Sequence, residues 1–169
     1  DITGRTRKIP GSTVSLAQAG YSSDGFRYLT IPGKLLEGDA AAVDAAETRE
    51  VFTLHQRQQL DRAAARVDDE AFQRISETPR WTVHSDAAHP VFTIAAHEAT
   101  HILDYALALA RRRAMPSASA SRAWRVSEDA ASSPQELFAE VGAMIASGRS
   151  AEVPADILRA FMEVTGRDQ

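Results

Sequence analysis

His97-Glu98-Ala99-Thr100-His101 is an H-E-x-x-H run inside a long apolar-periodic segment that starts just after Pro90. On an α-helix, residues four apart share a face, so both imidazoles point at one spot and can grip a single metal ion. Glu98 is offset around the same helix, where it reaches a metal-bound water rather than the metal. This spacing suits zinc hydrolysis, in which the metal activates water and Glu98 acts as general base.

A catalytic zinc takes three protein ligands and leaves one position open. The chain has no cysteine, so those ligands must be His or carboxylate. A metzincin pattern would place a Gly and a third His at 104 and 107, where Asp104 and Leu107 stand. The third ligand is therefore expected from another helix, and Glu136-Leu137-Phe138-Ala139-Glu140 is the natural donor. Its two carboxylates are i,i+4 and share a face of an otherwise apolar helix containing Val141, Met144 and Ile145. Carboxylates on a buried helix are costly unless compensated, and a metal compensates them. Glu136 has a second reading, as the N3 residue of a capping box opened by Ser133. Asp104, three residues after His101, is either an exposed helix residue or a partner for an imidazole N–H. His84 and His89 precede the helix and are either solvated or functional, whereas His55 reads as a surface residue.

His97-Glu98-Ala99-Thr100-His101-Ile102-Leu103-Asp104, followed by Ser133-Pro134-Gln135-Glu136-Leu137-Phe138-Ala139-Glu140, resembles the anthrax-lethal-factor-like zincins, a group that includes the secreted Pro-Pro endopeptidases. The likeness covers roughly residues 80–150, and its second motif is the more specific, because H-E-x-x-H is shared by many zincins. The resemblance implies an α+β, mainly helical zincin-like metallopeptidase with a small sheet and a C-terminal helical part carrying the third ligand. It implies one catalytic Zn2+ held by His97, His101 and Glu136, with Glu98 as base and Glu140 supporting from outside, and its motif carries an aspartate at the position of Asp104. The family also places a tyrosine seven residues before the ligand Glu, where its hydroxyl helps hold the oxyanion. Here that position is Asp129, and no tyrosine follows Tyr105. Tyr28, His84 and His89 remain as candidate donors, and losing one such donor costs about 10²–10³ in rate. The expected activity is a zinc-dependent endopeptidase. The alternative is a weak or inactive scaffold serving as a binding or structural module of a larger toxin or phage-type protein. Amidase action on a non-peptide bond would use the same chemistry.

These side chains need elements to position them. Residues 1–25 are expected as an irregular lead-in with a strand at 13–16, and 26–31 alternates like a strand before Pro32-Gly33. Residues 39–75, free of Gly and Pro, should form one long helix or two. A second strand is expected at 81–84, along whose edge a peptide or protein substrate would lie by strand addition. A buried helix should run over 90–113 from Pro90 at N1. The stretch 114–132, Ser/Ala-rich in its first part, is expected as a mobile loop, and helices follow over 134–147 and 154–165, stopped by Gly148 and Gly166.

At 169 residues the chain is expected as one domain, residues 1–169, and its mild net charge of −4 argues against nucleic acid or an anionic membrane as partner. All but two of the basic residues (Lys8, Lys34) are Arg, which reads as a compositional bias rather than a phosphate-binding design. No stretch reaches the ~18–20 apolar residues of a membrane span. The chain begins at Asp1 without an initiator Met or a signal peptide, and is read as a soluble piece, secreted or delivered as part of a larger effector or toxin.

Overall fold

The computed structural model describes residues 18–21, 27–30, 33–36, 40–109, 115 and 117–166. In chain order these form β1 (Gln18–Tyr21), β2 (Arg27–Thr30), α1 (Gly33–Leu36), α2 (Ala40–Arg66), α3 (Asp69–Glu77), α4 (Pro90–Leu109), α5 (Ser117–Ala120), α6 (Pro134–Ala146) and α7 (Ala155–Thr165), with 3₁₀ turns at Ala123–Arg125, Ala130–Ser132 and Ser150–Glu152. The strand expected at 13–16 lies outside the described residues, as do 110–113. The stretch expected at 39–75 forms two helices, because the chain leaves α2 through Val67 at φ 55°. Asp68 N–H then bonds to Ala63 O and Val67 N–H to Ala64 O, both at 3.1 Å, a Schellman closure. Asp68 also opens α3, its carboxylate accepting from Ala71 N–H at 3.0 Å.

α6 is the axis of the core. Leu137, Phe138, Ala139, Val141, Ala143 and Met144 are all buried, so the helix is covered on nearly every side. α7 lays Ile157, Ala160, Phe161 and Val164 into the same core, and the rings of Phe138 and Phe161 stand 4.6 Å apart. α4 runs antiparallel to α6. Thr93 meets Ser147 just past the end of α6 at 3.0 Å, and His101 meets Glu136 near its start at 3.4 Å.

This mostly helical architecture overturns the expected α+β zincin with its sheet. Among the described residues the only strands are β1 and β2, four residues each, paired antiparallel from Gln18↔Thr30 to Tyr21↔Arg27. A hairpin of that size forms no layer. The segment at 81–84 is a turn, not a strand: Ser85 N–H bonds to Thr82 O and Ala87 N–H to His84 O, each at 3.2 Å. Consecutive residues Thr82, Val83, His84 and Ser85 are all buried, which breaks the alternation a half-exposed strand requires. Val83 N–H donates to Glu140 Oε2 and Arg149 Nη1 donates to Val83 O, both at 2.8 Å. With both backbone groups of Val83 committed inward, the segment is no edge for an added strand. Residues 117–132, expected as a loop, are instead short helical turns that bury Ala123, Val126, Ser127 and Ala130. No described helix is long and apolar enough to cross a membrane.

Candidate metal centre

The H-E-x-x-H run lies in the middle of α4 and puts both imidazoles on the face toward α6. Their Nε2 atoms stand 3.1 Å apart and the rings cross at 80°. α6 begins with Ser133 as N-cap, whose hydroxyl accepts from Glu136 N–H at 3.1 Å, and with Pro134 in the first turn. Only the serine half of the capping box is therefore used. The Glu136 carboxylate turns to α4, with Oε2 3.2 Å from His97 Nε2 and 3.4 Å from His101 Nε2. His97, His101 and Glu136 thus form a group whose ligand atoms all lie within 4.8 Å of one another and can hold a metal ion. Neutral imidazoles presenting two lone pairs beside a carboxylate repel one another, and a shared cation or proton relieves this.

One turn further along α6, Glu140 is fully buried. Its Oε2 accepts from Val83 N–H at 2.8 Å and from the Ser127 hydroxyl at 2.7 Å. Its Oε1 lies 3.1 Å from His97 Nδ1, somewhat off the hydrogen-bond axis, and neither of these two buried atoms has another partner. A carboxylate behind the far nitrogen of a metal-binding imidazole fixes its tautomer and its plane.

The electrostatics follow from this packing. Burial opposes a charged imidazole at His97, but the Glu136 and Glu140 carboxylates at hydrogen-bond distance and the charge of Glu98 outweigh it and hold its pKa well above the usual histidine value. Burial likewise opposes a charged Glu136, yet His101 and His97 draw its pKa well below the ordinary carboxylate range.

No family model, curated protein or solved structure matches the chain.

A small cavity beside His97 is lined by Thr82, His84, Ile94, Glu98, Asp129 and Glu140. Glu98, the expected base, and Asp129, where a tyrosine was expected, line the same space. Of the three candidate oxyanion donors, only His84 lines it. It is 5% exposed, with Thr82 Oγ1 3.0 Å from its Nδ1, and burial above all, with a smaller push from His97, lowers its pKa to about 4 against the pull of Glu140. Tyr28 stands on β2 at 45% exposure and His89 is exposed at the start of α4; neither lines the cavity. Burial raises the pKa of Asp104 while the charge of His101 lowers it, but no hydrogen bond joins Asp104 to an imidazole among the described residues. His55 is not a free surface residue: its ring meets Trp81 edge-on at 5.6 Å and its Nε2 lies 3.2 Å from Gln59. Ser127 and the Val83 amide, which seat Glu140, carry no signal in the sequence, since neither belongs to a motif.

Proposed function

We propose that this chain is a zinc-dependent endopeptidase centred on His97, His101 and Glu136. The observation that carries this reading is the spacing of the three donor atoms. Ligands about 2.0–2.1 Å from a tetrahedral zinc stand about 3.3–3.4 Å from one another. The separations here are 3.1, 3.2 and 3.4 Å, close to that spacing, so His97, His101 and Glu136 would hold such an ion with little rearrangement. The donor set, two imidazoles and a carboxylate without thiolates, is that of catalytic rather than structural zinc.

Zinc held by His97, His101 and Glu136 would supply Lewis acidity, lowering the pKa of a water toward about 7 and polarising a carbonyl. Glu98 takes the proton from the attacking water and passes it to the leaving amine. His97 is kept in the metal-binding tautomer by Glu140. His84, alone of the three candidate donors in lining the cavity beside His97, is the candidate for the developing oxyanion. Asp129 in place of the expected tyrosine favours a second reading, a zinc-binding scaffold with little turnover.

Three measurements on the purified chain test the proposal. Metal analysis should find about one zinc per chain, lost in His101→Ala. Cleavage of a peptide library should be abolished by a chelator and restored by zinc. Glu98→Gln should keep the zinc and lose the cleavage. A zinc count indifferent to His101→Ala sinks the proposal, whereas bound zinc without any chelator-sensitive cleavage leaves only the scaffold.

A further inference from the structure

Gly142 sits in the interior of α6, where glycine weakens a helix relative to alanine. A residue that is locally unfavourable in this way calls for a tertiary reason, and Thr100 provides one. A Cβ placed on Gly142 would overlap Cγ2 and Oγ1 of Thr100 and come within 2.9 Å of its Cβ. Nor can Thr100 easily turn aside: it is buried, and its hydroxyl donates to Ala96 O on its own helix at 2.7 Å. The backbone of α6 therefore touches the side-chain surface of α4 at this point, and any side chain at 142 must push the two helices apart.

The contact adjoins, along both helices, the residues of the candidate metal site. Thr100 is the residue between Glu98 and His101 that faces α6, and Gly142 follows Glu140 by two positions. Two ligand nitrogens ride on α4 and the ligand carboxylate on α6, as does the carboxylate behind His97. Helix separation and ligand spacing are consequently one variable. Metal distances tolerate only about ±0.2 Å, while relieving the overlap at 142 needs several tenths of an ångström or more.

We infer that Gly142 is a positioning residue for the metal centre, setting the α4–α6 approach at which His97 and His101 meet Glu136. This rests on the zinc reading above, and the test separates the two. Three proteins are compared, the parent, Gly142→Ala and the Gly142→Ala/Thr100→Gly double variant, in which the missing side chain is transferred from α6 to α4. Zinc affinity is measured by competition with a chromophoric chelator, and cobalt substitution reports coordination geometry through its visible spectrum. Gly142→Ala should bind zinc more weakly by on the order of 10- to 100-fold, the range seen when support of a ligand is lost, with an altered cobalt spectrum and retained helical circular dichroism. The double variant, relieved of the overlap, should recover most of the affinity and the parental spectrum.

If the parent binds no zinc, the proposed function fails first. If the parent binds zinc and Gly142→Ala binds it equally well, this inference alone fails. Should Gly142→Ala not fold, the double variant decides: folded with near-parental affinity supports the assignment, and unfolded or unable to hold zinc overturns it.

Discussion

Glu140 Oε2 accepts from two donors, and Oε1 faces the far nitrogen of His97 at 3.1 Å. Glu140→Gln must turn its NH2 group toward one side or the other, opposing either the Val83 and Ser127 donors or the His97 N–H. Zinc affinity should therefore drop about 10- to 100-fold although no ligand is touched; an unchanged affinity in a competition titration would show that Glu140 does not orient His97. Proton competition at the same imidazole has a definite sign. The pKa of His97 is raised in the folded, metal-free protein, so the proton must leave before the nitrogen can bind metal. Zinc affinity should rise with pH, and binding near neutrality should release protons, read as a dependence of calorimetric heat on buffer ionisation enthalpy. Stability of the metal-free form runs the other way. A raised folded pKa contributes fully below the unfolded histidine value and is lost as pH rises through the folded one. The stabilisation conferred by zinc should thus widen from mildly acid to mildly alkaline solution.

At the scale of elements, the α2–α3 junction is closed by a residue ill suited to it. Val67 is 82% exposed, so nothing packs against it to offset a φ of 55°. A left-handed conformation costs a side chain roughly 1–2 kcal/mol, and glycine avoids most of that at the expense of a floppier unfolded chain. Val67→Gly should be stabilising by about 1 kcal/mol, raising Tm by about 2–4 °C in a chain of this size, as differential scanning calorimetry can check; a lower Tm would mean that the strain is not stored at this residue. Helix ends elsewhere were legible because their chemistry is local. Ser133 and Pro134 open α6, Pro90 opens α4, and Gly166 closes α7 at φ 71°. The turn at 81–84 was not legible. Trp81-Thr82-Val83-His84 alternates like a strand, but its conformation is imposed by Glu140 and Arg149, 57 and 66 positions away from Val83. Arg149 also reaches Asp86 and Glu152 at 2.9 and 2.8 Å, pinning the segment against the core. Such pairings have no signature in a single sequence.

In the whole molecule the candidate metal site lies where α4 and α6 meet, and this links it to global stability. The two histidines are an i,i+4 pair readable from spacing alone. Their convergence with Glu136 depended on α4 and α6 packing antiparallel, for which the sequence offered one clue, a pair of carboxylates on an otherwise apolar helix. A metal held by α4 alone would tie no two elements together, whereas one shared with Glu136 cross-links both helices and, through Glu140, the segment at 80–86. Ligand that binds only the folded state stabilises it by about 4 kcal/mol at a thousandfold excess over Kd, which at this chain length corresponds to a Tm increase of about 8–16 °C. Zinc should produce a shift of that order in thermal melts, and a chelator should reverse it. Glu136→Ala leaves both imidazoles in place but removes the bridge between helices, so its melting temperature should respond little to the same zinc. A full shift in Glu136→Ala would mean that the ion binds elsewhere, and the link between metal and helix packing would be lost with it.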